Sequence, residues 1–196
     1  ANKAIQDKLD QLSTDKVNNV KIGGRNLIRN SVKPSLSLAG ATAITETGVT
    51  TPFGVYDIWK ITKNATGYVR IPNIVKSNDT YTFSVYARTL NTSDICNFKM
   101  DVCDLGSKSF QATGTWQRFI NTVTVTNYSD SVYNFVDIEL QQLNVPVLFA
   151  FFQLEKGNKA TDWTPAPEDV QAEIDAAQTS ADDAQLAADG YMKARY

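Results

Sequence analysis

Apolar and polar residues alternate with a period of two along most of the chain, between Asn26 and Leu154. The clearest cases are the segments 81–90, 95–103 and 133–141, in which apolar residues occupy every second position. Side chains of a β-strand point alternately to its two faces. Each of these segments is therefore predicted to be a strand with one buried face.

The pattern predicts roughly eight or nine short strands, separated by turn residues such as Ser77-Asn78-Asp79 and by no helical pattern. Segment 145–154 is apolar on both faces, which is typical of a central strand covered on both sides. This spacing favours an antiparallel β-sandwich or barrel. The predicted strands are 26–29, 41–47, 53–62, 67–71, 81–90, 95–103, 116–126, 133–141 and 145–154.

The two ends of the chain differ in period from the β domain, which is predicted for residues 23–167. Residues 1–22 predict a short N-terminal helix and linker, whose narrow apolar stripe needs a partner. Residues 168–196 predict a longer helix with the 4-3 apolar spacing of a heptad repeat. Two interpretations stay open: a self-associating, parallel coiled coil, or a single helix docked on the β domain. The heptad seam consists of Val170, Ile174, Ala177, Ala181, Ala184, Ala188 and Tyr191.

The β domain closes on an aromatic stretch, residues 149–169, which begins as a strand and breaks at Gly157-Asn158. Trp163 follows the break and precedes two prolines, which stop any regular element. Large aromatic side chains carry much of a core's burial. We therefore expect Phe151, Leu154 and Trp163 in the core, with Trp163 folding back as a plug.

The same stretch resembles a known family. Residues 151–169, FFQLEKGNKATDWTPAPED, resemble the closing signature of a β-sandwich module in tail and baseplate proteins of phages that infect Gram-positive bacteria. Residues 24–31, GRNLIRNS, look like its first strand. The resemblance implies a mainly β, antiparallel jelly-roll-like sandwich that binds carbohydrate. It also implies a place in a virion tail or baseplate, made in the host cytoplasm, and trimeric assembly beside neighbouring tail proteins.

The composition of the chain argues against several classes of function. The net charge is -2, which gives no electrostatic case for nucleic acid or an anionic membrane. No apolar run reaches the ~18 residues of a membrane span. The chain has no histidine, which removes Ser-His-Asp and Cys-His arrangements and the commonest metal ligand. The N-terminus is polar and lacks the apolar core of a signal peptide. Because it also lacks a starting Met, we expect a fragment of a larger protein.

The two cysteines, Cys96 and Cys103, are expected to be reduced thiols. On one continuous strand they point to opposite faces and lie too far apart for a disulfide. Cys96 is expected in the core. Reduced thiols fit assembly in a reducing cytoplasm.

Catalysis is not expected. Glycoside hydrolysis needs two carboxyl groups that face each other across the scissile bond. Asp137 and Glu139 share one face of a predicted strand, but side-by-side carboxylates on one strand do not flank a bond. A glycan-degrading enzyme is kept as a hypothesis only because of this pair.

Glycan binding is the strongest functional hypothesis, because the outward-facing positions combine aromatic rings with charged groups. Sugars have apolar C–H faces and rings of hydroxyls. Their sites therefore pair aromatic platforms with carboxylates, amides and Arg or Lys. If the strands that carry these residues share a sheet, they form one concave binding face. The candidates are Tyr86, Arg88, Lys99, Asp101, Tyr133, Asp137 and Glu139.

Further aromatic candidates lie near loops. Tyr56, Trp59 and Tyr68 form a second set, although Trp59 shares a face with apolar residues and is expected in the core. Tyr128 lies in a polar loop and could line a site at the loop edge. Trp116 opens a strand after a turn and is expected to be structural.

No cofactor is expected. The family resemblance implies at most a structural calcium ion near the chain ends of the sandwich. Asn30, Glu155 and Asp162 are the oxygen donors in the matching region, although their spacing is not diagnostic.

Two functional hypotheses follow, besides the enzyme. The first is a module that binds saccharides of a Gram-positive cell wall, so that the virion adheres to its host. The alternative is a purely structural spacer or assembly module of a phage tail protein, with no glycan binding.

Overall fold

The computed structural model describes residues 24–193, with side chains as far as residue 187. The predicted N-terminal helix, within residues 1–22, lies outside the described residues. In the part of the chain that the structure describes, no helix is both long and apolar enough to cross a membrane.

Ten antiparallel strands form two five-stranded sheets that pack face to face, and one helix follows them. The front sheet has the order β1-β4-β9-β6-β7, and the back sheet has the order β2-β3-β10-β5-β8. The predicted β-sandwich with a C-terminal helix is confirmed. The elements are β1 (Ser37–Leu38), β2 (Ala41–Thr51), β3 (Gly54–Lys63), β4 (Val69–Ile71), β5 (Thr80–Thr89), β6 (Cys96–Val102), β7 (Leu105–Ala112), β8 (Gln117–Thr124), β9 (Val136–Leu140), β10 (Val147–Lys156) and α1 (Pro167–Lys193).

The main core lies between the two sheets and is built from the alternating apolar positions of both. Phe83 and Val85 of β5 meet Phe98 and Met100 of β6 in this core. Phe98 packs edge-on against Phe149 of β10, with 5.6 Å between the ring centroids. The period of two read from the sequence thus marks the inner faces of the sandwich correctly.

The outer face of the back sheet is also apolar, and it is covered. Ile58, Leu148, Ala150 and Phe151 form a second buried cluster there. Phe151 adopts a positive φ of 57° within a register shift between Ala150 and Gln153, which marks a β-bulge. The prediction that 145–154 is a central strand covered on both sides is confirmed.

Trp163 covers this second cluster. Its ring lies 4.7 Å from that of Phe151 and 5.3 Å from that of Phe53. The closing segment, residues 157–166, therefore folds back over the outer face of the back sheet. Further along the segment, Thr161 donates its N–H to the carboxylate of buried Glu155 at 3.1 Å. The predicted plug forms, although it caps the outer cluster and not the core between the sheets.

One predicted strand does not form, and the eight-residue strand β7 was not predicted. Residues 26–29 form no strand, because the Asn26 side chain occupies the polar groups of β10 that a neighbouring strand would pair with. A backbone hydrogen bond from Leu27 N to Leu154 O, at 2.9 Å, is of the kind that joins neighbouring strands, but no strand follows from it. Conversely, β7 carries Gly106 and several exposed polar residues, and its sequence looks like a loop. As an edge strand it needs few buried side chains.

Cys96 and Cys103 are free and buried, as expected. Cys103 differs from the expected strand residue, because it lies just after β6 with a positive φ of 57°. Burial raises the pKa of both thiols, which favours the unreactive protonated form.

Helix α1 leaves the sandwich at once. Its side chains from Val170 to residue 187 are exposed, with Ile174 56% and Leu186 69% accessible. Within the described residues the helix therefore does not dock on the sandwich beyond its first turn, and the apolar seam faces no part of its own β domain.

Candidate functional site

The candidate residues from the sequence are divided between the two sheets. Tyr86 and Arg88 lie on β5 of the back sheet, whereas β6 and β9 belong to the front sheet. The expectation that all of these strands share one sheet is wrong, because alternation shows which way a side chain points but not which strands pair.

On the back sheet, the aromatic candidates are engaged in packing. Tyr86 and Tyr56 both meet the ring of Phe151 edge-on, at 6.0 and 5.2 Å. The guanidinium of Arg88 donates to two main-chain carbonyls, at 3.1 and 3.2 Å, and lies 5.5 Å from the Trp116 ring. These three residues point outward as predicted, but Tyr56 and Tyr86 pack against the second cluster, and Arg88 lies beside Trp116, which packs there too.

Tyr128 and Tyr133 lie in the loop before β9, and both pack partly against the main core. The hydroxyl of Tyr128 bonds to Asp130. Tyr133 N donates to Ser129 O at 3.1 Å within the same loop. The prediction that Tyr133 shares a strand face with Asp137 is wrong, because β9 begins only at Val136.

The remaining four candidates do converge, on the outer face of the front sheet. The register places Asp137 of β9 between Arg70 of β4 and Asp101 of β6. It also places Glu139 of β9 opposite Lys99 of β6. Their strand neighbours fill the core, so these side chains point away from it. We call this surface the polar face; it comprises Tyr68, Arg70, Lys99, Asp101, Asp137 and Glu139.

Arg70 organises the polar face. Its Nε and Nη2 donate to the two carboxylate oxygens of Asp137 at 2.7 and 2.6 Å, a bidentate pair. The guanidinium carbon lies 3.3 Å from the centroid of Phe135 and 4.3 Å from that of Tyr68. Both charged groups are therefore fixed before any ligand arrives.

Sequence reasoning missed Arg70, although a signal was present. In the predicted strand 67–71 it is the polar residue between the apolar Val69 and Ile71, so it had to point outward. Tyr68 was grouped with Tyr56 and Trp59, but the structure separates the three. Tyr56 is on the outer back sheet, Tyr68 is on the polar face, and Trp59 packs against the core as expected.

Burial makes two carboxyl groups of the polar face, those of Asp101 and Asp137, weaker acids by raising their pKa. Burial, together with the nearby charges of Asp137 and Asp104, raises the pKa of Asp101 to about 7. Burial also raises the pKa of Asp137, although the hydrogen bonds and charge of Arg70 oppose this. Asp137 is 6% exposed, so its charge depends on that arginine.

The carboxylate oxygens of Asp101, Asp104 and Asp137 lie within 4.8 Å of one another. Oxygen donors of this kind suit a hard cation such as Ca²⁺. Here, however, Arg70 already neutralises Asp137, and Asp101 is half protonated near pH 7.

The residues that the resemblance suggests as oxygen ligands of a calcium ion have other contacts in the structure or are exposed. The carboxylate of Glu155 accepts bonds from Thr161 N and Oγ1, at 3.1 and 2.6 Å. Asn30 lies at the start of α1, where its N–H donates to Asp169 at 2.7 Å. Asp162 is exposed.

Three polar groups of the polar face have no partner within the described residues. The Tyr68 hydroxyl, the Lys99 ammonium and the Glu139 carboxylate make no hydrogen bond or ion pair there. The hydroxyl of Tyr68 can donate or accept a hydrogen bond, the ammonium of Lys99 is a charged donor, and the carboxylate of Glu139 is a charged acceptor.

The arrangement of carboxyl groups does not suit glycoside hydrolysis. Because Asp137 is held by Arg70, the Asp137–Glu139 pair lacks the two free, opposed carboxyl groups that this reaction needs.

No protein-family model matches the chain, and no curated protein sequence does either. Among solved structures, the CBM22-1 xylan-binding domain of Paenibacillus barcinonensis Xyn10C is 12% identical with a TM-score of 0.48, over 69% of this chain and 94% of that one. A putative sugar binding protein from Bacteroides thetaiotaomicron is 12% identical with a TM-score of 0.46, over 68% of this chain and 100% of that one. The enzymatically active domain of bacteriophage CBA120 tailspike protein 4 is 11% identical with a TM-score of 0.42, over 63% and 19%. Similarity at this level concerns general architecture and not the ligand.

Proposed function

We propose that this chain is a saccharide-binding module without bond chemistry, and that the polar face of the front sheet is its binding surface. One observation carries the proposal. Tyr68, Lys99 and Glu139 offer an aromatic ring and three unused polar groups beside the preorganised Arg70–Asp137 pair.

This combination matches the two surfaces of a sugar ring. The apolar C–H face of a sugar stacks on an aromatic ring, and its hydroxyls both donate and accept hydrogen bonds. Lys99 supplies a donor and Glu139 an acceptor at directly opposed positions of the sheet. Because Arg70 and Asp137 are held by each other, a ligand would meet a surface that loses little conformational freedom on binding.

We further propose that the saccharide belongs to the surface of a Gram-positive host and that the module serves adhesion of a phage virion. The family resemblance of residues 24–31 and 151–169 supports this context. The protein would then be made in the host cytoplasm and placed in the tail or baseplate, beside other tail proteins. Weak single sites would gain avidity from several copies on one virion.

Removing Lys99 should abolish most saccharide binding and leave folding intact. A charge-assisted hydrogen bond contributes roughly 1.5–3 kcal/mol, so Lys99→Ala should weaken binding about tenfold or more. The measurement is adsorption of the labelled chain to intact cells of a panel of Gram-positive strains, with polysaccharide-stripped cells as control. Lys159→Ala, an exposed lysine beyond β10, is the matched variant and should bind like the parent chain.

Two results would contradict this proposal. One is the absence of adsorption to any strain of a broad panel. The other is strain-selective adsorption that Lys99→Ala, Glu139→Ala and Tyr68→Ala all leave unchanged. Equal melting temperatures of the variants and the parent chain would show that a loss of binding is local.

A structural assembly role is the second candidate, and helix α1 favours it. Val170 and Ile174 are 41% and 56% exposed on the heptad seam, which is solvent-exposed from Val170 to residue 187, as far as side chains are described. We propose that this seam joins copies of the chain, with a trimer favoured by the resemblance.

Sedimentation should therefore report an oligomer for the whole chain and a monomer for a chain that ends at Pro167. Ala177→Glu and Ala181→Glu together place charges in the seam and should also dissociate the oligomer. A matched pair on the side of the helix opposite the seam, Ala172→Glu and Ala176→Glu, should not. A monomeric whole chain at high concentration would exclude self-association through α1.

A further inference from the structure

A groove of about 610 Å³ lies between the opening segment, residues 24–35, and the loop that follows β4. The start of β5, the end of β10 and Glu168 at the start of α1 complete its lining. Its volume is in the range of sites that bind small ligands or single units of a polymer. We call it the basic groove, because of the charges described next.

The basic groove concentrates positive charge in a chain whose net charge is -2. Four cationic residues line it, Arg25, Arg29, Lys76 and Lys156, together with one acid, Glu168. A cleft lined mainly by one sign of charge focuses the electrostatic potential and attracts ions of the opposite sign. The groove therefore favours an anion.

Two of the four cations are already paired. Arg25 forms an ion pair with Glu168. A hydrogen bond to its own backbone, and then the charges of Arg25 and Arg29, hold the pKa of the Glu168 carboxyl group below its ordinary value. Lys156 Nζ lies 3.4 Å from the carboxylate of Asp79. These two pairs leave the positive charge of the groove to the other two cations.

Arg29 and Lys76 are free to meet a ligand. Both are exposed, and neither makes a hydrogen bond or an ion pair within the described residues. Arg29 belongs to the opening segment and Lys76 to the loop after β4, so they come from different walls of the groove. A guanidinium presents a planar pair of N–H donors that suits a phosphate or a carboxylate, and an ammonium adds a second positive charge.

Main-chain hydrogen bonds fix both walls of the groove. In the opening segment, Leu27 N donates to Leu154 O at 2.9 Å. In the loop after β4, the N–H groups of Ile74 and Val75 both donate to Asn134 O, at 2.7 and 3.0 Å. The backbone at the two free cations is therefore held in place, and binding has to order only their side chains.

The rest of the accessible lining is suited to a hydroxylated molecule. Asn30 and Ser35 are exposed, and their side chains make no hydrogen bond within the part of the chain that the structure describes. An amide and a hydroxyl can each donate to and accept from sugar hydroxyls. Leu27 and Ile74 are half-buried and Pro72 is exposed, so apolar contact is also available to a C–H face.

The same lining disfavours two other anionic partners. The aromatic residue of the groove, Tyr81, is fully buried, so the bases of a single-stranded nucleic acid would find no ring to stack on. The large apolar residues that are well exposed in the described chain lie outside the groove, so it offers nothing to insert into a lipid bilayer.

We propose that the basic groove binds an acidic saccharide, with Arg29 and Lys76 holding its phosphate or carboxylate group. Asn30 and Ser35 bind hydroxyls of the same sugar unit. The choice of a saccharide rests on the proposed function, whereas the anion site rests on the groove alone. The polymer that the module binds on a host surface therefore carries acidic units.

The side-chain N–H signals of the arginines provide the test. We would titrate the ¹⁵N-labelled chain separately with inorganic phosphate, D-glucose, D-glucose 6-phosphate and D-glucuronate, and identify the Arg29 Nε–H signal by its loss in Arg29→Gln. That signal should shift saturably with glucose 6-phosphate, with glucuronate or with both, and the two titrations show which acidic group is preferred. Neutral D-glucose should not shift it.

Lys76→Gln should weaken the binding of the acidic sugar about tenfold, because it removes a charge-assisted hydrogen bond. Lys159→Gln, at an exposed lysine outside the groove, is the matched control and should bind like the parent chain. Because Lys76 is exposed and unpaired, its replacement should leave the melting temperature unchanged. Raising the salt concentration from about 0.05 to 0.5 M should also weaken binding, since salt screens exposed charges.

The proposal is overturned if neither acidic sugar moves the Arg29 signal, or if Lys76→Gln leaves the titration unchanged. Inorganic phosphate that binds as tightly as glucose 6-phosphate would overturn the choice of a saccharide, because the sugar would then contribute nothing. Lys99 of the polar face lies outside the groove, so loss of the shift in Lys99→Ala would contradict the proposal as well. Binding of an acidic sugar without adsorption to any strain would contradict the proposed function alone.

Discussion

Replacing Asn26 by aspartate is expected to lower the free energy of unfolding by roughly 3–5 kcal/mol, among the largest effects of any single substitution in the chain. Asn26 is fully buried. Its amide nitrogen donates to Phe152 O at 3.0 Å and to Thr164 O at 3.1 Å. Its amide oxygen accepts from Ile28 N at 3.0 Å and from Leu154 N at 3.2 Å.

Aspartate has the same shape but no donor. It would keep the two accepting contacts and place a second oxygen against two carbonyl oxygens, and none of the four groups that contact the side chain carries a positive charge. The cost combines unsatisfied carbonyls with a buried charge. That environment raises the pKa of the introduced carboxyl group. The loss of stability relative to the parent chain should therefore grow as pH rises from about 4 and shrink again in acid.

Urea unfolding of Asn26→Asp and the parent chain at several pH values is the measurement. Asn158→Asp is the matched control, because Asn158 is exposed in the turn after β10 and its side chain makes no hydrogen bond within the described residues. It should change the unfolding midpoint little. A loss below about 1 kcal/mol for Asn26→Asp at pH 7 would mean that the four contacts do not act together.

The bonds of Asn26 also explain why two distant sequence motifs occur together. GRNLIRNS contributes Asn26, whereas FFQLEKGNKATDWTPAPED contributes Phe152, Leu154 and Thr164, its partners. One side chain thus joins the opening segment, the last strand and the closing segment. The motifs therefore describe how this sandwich is closed, and they carry little information about what its faces bind.

Alternation predicted the sandwich because burial on one face is a local property of each strand. Pairing between strands is not local, so the pattern could not show that β5 lies in the back sheet while β6 and β9 lie in the front sheet. It also could not show that Tyr86 is covered by Phe53, whose ring lies 5.2 Å away. A warning was present, however: Ile58 and Leu148 are apolar on the outward side, as expected of a face that something covers.

The polar face was partly predictable for the same reason. Lys99, Asp101, Asp137 and Glu139 occupy outward positions on two strands that happen to be neighbours. The raised pKa of Asp101 was not predictable, because it depends first on burial and then on the spatial proximity of Asp137 and Asp104.

Replacing Arg70 by methionine should cost roughly 3–5 kcal/mol of stability at pH 8 and abolish saccharide binding at the polar face. The substitution keeps apolar contact with Phe135 and Tyr68 but leaves the carboxylate of Asp137, 8% exposed in its side chain, without its cation. Burial already raises the pKa of Asp137, and Arg70 is the group that opposes the rise. Its removal raises that pKa further.

The sign of the pH dependence follows from these shifts. A carboxyl whose pKa is raised by folding binds its proton more tightly in the folded state, so stability is greatest in acid and falls as pH rises between the unfolded and folded pKa values. The deficit of Arg70→Met should therefore be large at pH 8 and nearly vanish near pH 4. Adding Asp137→Leu should restore most of it, since the unpaired charge is then gone.

Asp101→Asn, on the same polar face, should change stability in the opposite direction from Arg70→Met. The pKa of Asp101 is about 7 in the folded chain, so above neutral pH this carboxylate is charged at a cost. Its removal should stabilise the protein by roughly 1–3 kcal/mol at pH 8 and flatten the fall in stability between about pH 4 and 7. Urea unfolding across this range tests both variants.

A loss of stability in Arg70→Met that persists undiminished at pH 4 would show that Arg70 acts through packing alone. If instead the deficit follows pH, the polar face is an electrostatically strained surface held by one arginine, which is the preorganisation that the proposed saccharide site requires.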